Sequence, residues 1–247
     1  MSATLAVIGG TGLYQLEGAV VLGEVHRETP YGTPSGRVTR LEWQGREVLF
    51  LGRHGVPHRI PPHRINYRAN LWLLAELGVR EVLAINAVGG IAPDCPAGSL
   101  VLVDQVVDYT WGREHTYYDG ADDRLEHVEF GAPYSARLRQ VVVDAARRLG
   151  QPLVARGVYG ATQGPRLESA AEIRRMARDG CDVVGMTGMP EVALARELEL
   201  EYACLCLVVN PAAGCSDEPI TMAEINAVLA QGMGRVTSLI GAAVAAL

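Results

Sequence analysis

Short apolar runs, each followed at once by a glycine-rich or polar loop, recur along the chain and restrict the folds open to it. Such runs occupy residues 5–8, 46–51, 81–85, 154–159, 181–186 and 204–209. The loops after them occupy residues 9–12, 52–55, 86–90, 163–168 and 185–191, and Asn210 follows the last run. Buried strands that alternate with helical stretches indicate an α/β fold with a central sheet. Ligands in such folds bind beyond the carboxyl ends of the strands, so these loops are candidate site segments.

Residues 185–191, Gly-Met-Thr-Gly-Met-Pro-Glu, combine a strand end, a tight turn and a helix start. Pro190 suits the first turn of a helix, and Glu191 places a carboxylate near the positive end of the helix dipole. The Thr187 hydroxyl and the neighbouring N–H groups could bind an anion. Taken alone, however, this stretch is more often an ordinary strand–helix connection.

Two further loops carry groups suited to an anion. Residues 9–12, Gly-Gly-Thr-Gly, lack the GxGxxG dinucleotide pattern but can bring N–H groups and the Thr11 hydroxyl close to a phosphate. A tight turn without a ligand explains them as well. Arg53 and His54 follow the second strand of a predicted hairpin, whose turn is Gln44–Gly45. A guanidinium and an imidazole between glycines suit an oxyanion better than a core.

The remaining segments predict helices and strands around these loops. We expect helices over residues 66–77 and 133–149, from about 169 and from about 221, and a strand over 99–107. A polar loop containing Trp111, Tyr117, Tyr118 and His127 is long enough to suggest a functional or interface role. We find no repeat, linker or composition break, so residues 1–247 are expected to form a single domain.

Composition excludes several classes of protein. A formal net charge of −6 argues against a nucleic-acid surface, which needs clustered Lys and Arg. The N-terminal residues predict a strand rather than a signal peptide, and residues 236–247 are too short and interrupted to span a membrane. Five irregularly spaced cysteines indicate buried, reduced thiols in a cytoplasmic protein.

A metal site is not expected. His58 and His63 are the candidate ligands, but prolines at positions 57, 61 and 62 exclude the helical spacing of a paired histidine site. No carboxylate cluster lies near them in the sequence.

Five motifs, in this order along the chain, resemble the purine nucleoside phosphorylase family, particularly its methylthioadenosine phosphorylase branch. They are Gly9-Gly-Thr-Gly12, Arg53-His-Gly55, Asn66-Tyr-x-Ala-Asn70, Gly164-Pro-Arg166 and Met186-Thr-x-x-Pro-Glu191. The resemblance covers nearly the whole chain. It implies a twisted, mixed central sheet, partly barrel-like and flanked by helices, in a homotrimer. It also implies that inorganic phosphate, as co-substrate, attacks C1′ of a purine nucleoside without a metal or organic cofactor.

The resemblance also implies a role for each site residue. Phosphate would be bound by Thr11, Arg53, His54, Asn86, Thr187 and, through its backbone, Ala87. Met186, Leu167 and Ala212 would line the ribose and base. Glu168 and Asn210 would address the base and act in catalysis. Met222 and Ile225 would form an apolar pocket for a 5′-methylthio group, completed by His127 of a neighbouring subunit.

Departures from the methylthioadenosine branch predict the base. That branch has aspartate where Asn210 and Ala212 stand and serine where Glu168 stands, whereas Glu168 and Asn86 match 6-oxopurine phosphorylases. An amide at 210 can donate to a 6-oxo oxygen, and Glu168 can accept from N1–H. A 6-oxopurine on a 5′-methylthio ribose is S-methyl-5′-thioinosine, so hypoxanthine and 5-methylthioribose 1-phosphate are the expected products, in purine salvage.

Other activities remain open at this stage. A methylthioadenosine phosphorylase or a broader 6-oxopurine nucleoside phosphorylase is the nearest alternative. A nucleoside hydrolase would leave the anion-binding groups without a purpose, and a non-catalytic nucleoside-binding protein is a third class.

Overall fold

A computed structural model describes residues 4–120 and 123–247 of the chain. The strands are Thr4–Gly9 (β1), Val20–Val25 (β2), Val38–Trp43 (β3), Arg46–Gly52 (β4), Val79–Gly90 (β5), Leu100–Leu102 (β6), Gln105–Asp108 (β7), Val158–Ala161 (β8), Val183–Gly185 (β9) and Glu201–Pro211 (β10). The helices are Tyr67–Glu76 (α1), Ala136–Leu149 (α2), Ala170–Arg178 (α3), Gly188–Glu197 (α4) and Met222–Val244 (α5), with a 3₁₀ turn at Pro62–Arg64.

The strands form one mixed sheet in the order β2-β3-β4-β1-β5-β9-β8-β7, with β10 joining β5 to β6. The long strand β5 pairs in parallel with β1 and β10, and its last two residues pair antiparallel with β9. Since β4 is parallel to β1, the carboxyl ends of β1, β4, β5 and β10 lie along one edge. This agrees with the predicted mixed α/β sheet flanked by helices.

Alternate residues of β1 belong to two separate apolar layers, because successive side chains of a strand point to opposite faces. Ala6 and Ile8 pack with side chains of α1 and α4, whereas Leu5 and Val7 pack with side chains of α2 and α5. Helix α5 is long and apolar enough to pass for a membrane span, but it packs against β10 and α2. It therefore serves here as a core helix.

Local signals place several element ends where the sequence predicts them. Asn66, Ser135, Ser169 and Thr221 cap α1, α2, α3 and α5, and the last two form capping boxes with a glutamate at N3. The β3–β4 hairpin turns at Gln44 and Gly45, both with positive φ. Met189, near the start of α4, has non-helical backbone angles, so the uninterrupted part of the helix begins after it. Pro190 therefore falls in the first turn of that part, as predicted.

Two predicted strands are placed differently, and one strand was missed. The strand predicted over 99–107 is two strands, because β6 pairs with β10 while β7 pairs with β8. The strand predicted over 154–159 begins only at Val158, since the Gly157 N–H donates to the Asp104 carboxylate instead of a strand partner. The missed strand, β2, lies at the sheet edge with three consecutive exposed apolar side chains, so it lacks the alternation that predicts a strand.

The thiol prediction is right for four cysteines and wrong for one. Cys95, Cys181, Cys204 and Cys206 are free and buried, whereas Cys215 is free and exposed. Cys215 follows β10 in a surface loop, where no apolar layer covers it.

Candidate active site

The loops at the carboxyl ends of the strands surround one cavity of about 600 Å³. It is lined by all but one of the candidate site residues, namely Thr11, Arg53, His54, Asn86, Ala87, Leu167, Glu168, Met186, Thr187, Asn210, Ala212, Met222 and Ile225. The exception is His127, which is exposed and lies outside the cavity of its own chain. Its role in a neighbouring subunit stays a prediction.

Arg53 lies at one end of this cavity, and its partner Glu191 was not foreseen. Both side chains are fully buried. Arg53 Nε and Nη2 donate to the two carboxylate oxygens at 2.8 and 2.7 Å, and Nη1 donates to the Ile85 carbonyl at 2.8 Å. Burial alone would lower the pKa of Arg53, but the charge and hydrogen bonds of Glu191 raise it above its usual value. Two of the five guanidinium N–H groups remain for a ligand.

The glycine at position 10 allows this close approach. A Cβ atom there would lie 2.5 Å from the Ile85 carbonyl oxygen and 2.7 Å from Arg53 Nη1. Any side chain at this position would therefore displace the Ile85 carbonyl or the guanidinium bound to it. The backbone of the 9–12 turn also accepts a hydrogen bond from Arg53 N, at the Gly9 carbonyl.

His54 faces the same end of the cavity with a defined tautomer. Its Nδ1 lies 2.8 Å from the Ile60 carbonyl oxygen, which can only accept, so Nδ1 carries a proton. Burial lowers the pKa of His54 to about 4, so the ring is neutral at pH 7 and Nε2 holds a lone pair. The ring stacks on His58, with centroids 4.2 Å apart. The Nε2 lone pair of a neutral His54 can accept a hydrogen bond from the hydroxyl of a hydrogen phosphate ion.

Thr187 completes this end through two buried neighbours. Asn86 Nδ2 donates to Thr187 Oγ1 at 3.1 Å and to the Tyr159 hydroxyl at 3.2 Å. The Thr187 N–H donates to the same tyrosine oxygen. Because Thr187 Oγ1 already accepts a bond, its own hydrogen can be directed into the cavity. Asn86 thus contacts Thr187 directly, and Tyr159 is a buried support that the sequence did not reveal.

The opposite wall carries a carboxylate and an amide. Glu168 Oε1 accepts a hydrogen bond from Thr162 Oγ1 at 2.5 Å, which leaves the second oxygen open. Asn210 follows an irregularity in the β5–β10 pairing and uses one N–H to donate to the Pro211 carbonyl at 2.6 Å. One amide hydrogen and the amide oxygen remain available. This wall can therefore both donate to and accept from a ligand.

The rest of the cavity is more apolar. Ile225 is buried beside it, whereas Met222 is 63% exposed. Tyr14 and His58 also line this region, and the tyrosine hydroxyl lies 3.2 Å from His58 Nδ1. In the sequence, His58 stands out only as a possible metal ligand, and no motif includes Tyr14. Within residues 4–120 and 123–247, no group of three or more His, Cys, Asp or Glu side chains could hold a metal ion.

Arg113 is a further buried residue that the sequence did not single out. It comes from the loop of residues 109–130 (the aromatic loop), is 8% exposed, and donates to backbone carbonyls of the two loops that carry Glu168 and Met186. Four of its acceptors are backbone carbonyl groups, which every residue possesses, so no pattern of residue types predicts them.

Comparison with known proteins decides the family. Residues 4–245 match the family model of the phosphorylase superfamily. The chain belongs to the phosphorylase superfamily. Over 231 residues it is 56% identical to a protein of Pseudomonas syringae pv. tomato named "Probable S-methyl-5'-thioinosine phosphorylase", with 94% of each chain covered.

Other members of the superfamily are more distant. The chain is 43% identical over 247 residues to the 6-oxopurine nucleoside phosphorylase of Pyrococcus furiosus, covering 97% of this chain and 91% of that one. Methylthioadenosine phosphorylase from Schistosoma mansoni, solved in complex with adenine, superposes with a TM-score of 0.93 at 31% identity. That comparison covers 98% of this chain and 91% of the solved chain. The predicted family and fold are confirmed.

Proposed function

We propose that the protein catalyses phosphorolysis of S-methyl-5′-thioinosine to hypoxanthine and 5-methylthioribose 1-phosphate. One observation carries this proposal: a single cavity combines an anion-binding end, a wall with Glu168 and Asn210, and an apolar end with Met222 and Ile225. Two relatives named "Probable S-methyl-5'-thioinosine phosphorylase", 56% and 54% identical to the chain, support it.

The phosphate end would bind the attacking nucleophile. Arg53 offers two N–H groups and Thr187 a hydroxyl, while neutral His54 accepts a hydrogen bond from the hydroxyl of hydrogen phosphate. Thr11 and the backbone of Ala87 lie at the same end. An unprotonated phosphate oxygen is then free to bond to C1′. Fixed donors of this kind hold the nucleophile without reorganising during the reaction.

The opposite wall would bind the leaving base. As the C1′–O bond forms, the C1′–N9 bond breaks and its electron pair passes to the purine. Glu168 accepts from N1–H of a 6-oxopurine, and the free Asn210 N–H donates to O6. The Asn210 amide oxygen accepts from N7–H once the departing base has taken up a proton from solvent. These contacts stabilise the departing base, so both residues act on the reacting molecule.

The space between the two ends would hold the sugar. Met186, Leu167, Ala212, Met222 and Ile225 all line the cavity. Met186 would lie against the ribose, with Leu167 and Ala212 beside it, and Met222 and Ile225 would contact the methylthio group. Gly164 permits this arrangement, because a Cβ there would lie 2.5 Å from the Met186 sulfur.

We also propose that the chain forms one domain over residues 1–247, assembles as a homotrimer in the cytoplasm and uses no metal or organic cofactor. The exposed Trp111 and Leu125 of the aromatic loop, 72% and 74% exposed, support an interface there. In such a trimer His127 would reach the 5′ end of a neighbouring site.

A phosphate-dependence assay tests the reaction class. Purified protein is incubated with S-methyl-5′-thioinosine in phosphate and in phosphate-free buffer, and hypoxanthine release is followed. Release only with phosphate is expected. Equal release in both buffers identifies a hydrolase, and binding without release identifies a non-catalytic nucleoside-binding protein.

Two nearer alternatives rest on particular relatives. The Pyrococcus furiosus relative favours a broader 6-oxopurine nucleoside phosphorylase, and the Schistosoma mansoni structure favours methylthioadenosine phosphorylase. Inosine and methylthioadenosine, run in the same assay, separate these alternatives from the proposed substrate.

A further inference from the structure

Arg113 has an unusual set of hydrogen-bond partners for a buried arginine. Its Nη1 donates to the carbonyls of Met186 and Met189 at 2.9 and 2.6 Å, with the Tyr67 hydroxyl at 3.3 Å. Its Nη2 donates to the carbonyls of Thr162 and Gln163 at 3.1 and 2.8 Å, and Nε donates to the Gln163 side chain at 3.1 Å. All five N–H groups are therefore used.

Every one of these acceptors is a neutral group. Among residues 4–120 and 123–247, no carboxylate lies within ion-pair distance of Arg113, in contrast to Arg53. A buried cation is costly unless its hydrogen bonds are satisfied, so these carbonyls must stay in place around it. The guanidinium thereby fixes the positions of the backbone segments that supply them.

These backbone segments carry groups from both ends of the proposed reaction. Residues 162–163 lead to Glu168, and the Thr162 hydroxyl donates to that carboxylate. Residues 186–189 include Met186 and Thr187, which line the cavity and which the proposed function assigns to the sugar and the phosphate. One guanidinium thus joins the segment that leads to Glu168 to the segment that carries Met186 and Thr187, although the two segments are separate in the chain.

We propose that Arg113 is a positioning residue, which sets the distance between the Glu168 carboxylate and the Thr187 hydroxyl; this inference rests on the proposed function. It does not line the cavity, so it acts through the two loops. Both substrates must be held together for C1′ to be attacked, and a small displacement of one loop lowers the rate without abolishing the binding of either substrate.

Arg139 provides a matched control. It also donates to two backbone carbonyls, those of Val103 and Ala155, at 3.1 and 2.6 Å. Unlike Arg113, it joins segments that do not line the cavity. Removing it takes away two hydrogen bonds to backbone carbonyls, together with a 4.0 Å contact to the Asp104 carboxylate, without moving the site.

The test compares Arg113→Ala and Arg139→Ala for stability, kcat and KM for both substrates. For Arg113→Ala we expect a folded protein whose kcat falls about a hundredfold, with smaller changes in KM. Guanidinium chloride far below denaturing concentrations should restore about tenfold of this loss, whereas methylammonium should not, because it lacks the planar fork. Arg139→Ala should keep wild-type kcat and show no rescue.

Several outcomes overturn the proposal. These are a wild-type kcat in Arg113→Ala, a loss without guanidinium rescue, or an equal loss in Arg139→Ala. If Arg113→Ala does not fold, Arg113→Lys replaces it and should lose about tenfold in kcat, since an ammonium cannot reach both loops. Wild-type kcat in the lysine variant, or failure of both variants to fold, also overturns it. Wild-type protein in the same assay shows separately whether the proposed function itself holds.

Discussion

Replacing Glu191 with glutamine removes the only negative charge that meets the buried Arg53 guanidinium within the described residues. Glu191 accepts three hydrogen bonds, two from Arg53 and one at 2.7 Å from the Tyr202 hydroxyl. Glutamine has the same shape but offers one oxygen and one NH₂ group. In either orientation of the amide, one of its N–H groups faces an N–H of Arg53.

The expected cost follows from burial. Both side chains of the pair are fully buried, so water cannot replace the lost carboxylate oxygen. Breaking a buried ion pair by removing one partner typically costs about 3–5 kcal/mol. Glu24→Gln is the matched control, because it breaks an ion pair at the surface: the Arg37 side chain is 67% exposed and the Glu24 side chain 45% exposed. An exposed pair of this kind contributes at most about 1 kcal/mol.

Urea unfolding at one fixed protein concentration measures both variants, since oligomerisation makes apparent stability concentration-dependent. Glu191→Gln should shift the midpoint far more than Glu24→Gln, with an unchanged m-value. The KM for phosphate should also rise, because Arg53 loses the partner that orients it. If the two variants lost the same free energy of unfolding, the buried pair would not organise the phosphate end as described here.

Three further predictions concern the base, the imidazole and the neighbouring subunit. Asn210→Asp should weaken the preference for methylthioinosine over methylthioadenosine, because aspartate accepts a hydrogen bond from a 6-amino group. The ratio of kcat/KM for the two nucleosides measures this preference, and an unchanged ratio would contradict the role of Asn210. Because burial lowers the pKa of His54 to about 4, between about pH 6.5 and 4 the imidazole is protonated only in the unfolded state. The free energy of unfolding should therefore fall by up to about 3 kcal/mol as the pH drops through that window. Unfolding measured as a function of pH should show a weaker pH dependence for His54→Gln. His127→Ala should raise KM for the 5′-methylthio nucleoside without changing KM for phosphate, and sedimentation of a fully active monomer would contradict the shared site.

Local sequence patterns predicted much of the fold and identified most of the residues that line the cavity. Hydrophobic runs and their loops located the strand ends, and capping residues such as Ser169 and Thr221 located helix starts, because these signals depend on near neighbours in the chain. Since carboxyl ends of parallel strands share an edge, the loop residues converge on one cavity.

What could not be predicted depends on contacts between distant segments. Glu191 was expected to interact with its own helix, but its partner Arg53 lies 138 positions away. Arg113 binds carbonyls, which carry no residue identity. The division of residues 99–107 between two strand partners likewise depends on the placement of β8 and β10.

The ratio of kcat/KM for S-methyl-5′-thioinosine to that for methylthioadenosine, measured with saturating phosphate, tests the central proposal most directly. The adenine base places a donor at position 6 and no proton on N1, so both Asn210 and Glu168 lose their partners. Each unpaired buried group costs about 1–3 kcal/mol, so we expect a preference on the order of a hundredfold or more for methylthioinosine. Equal kcat/KM values for the two nucleosides would contradict the proposed substrate, even if cleavage still required phosphate.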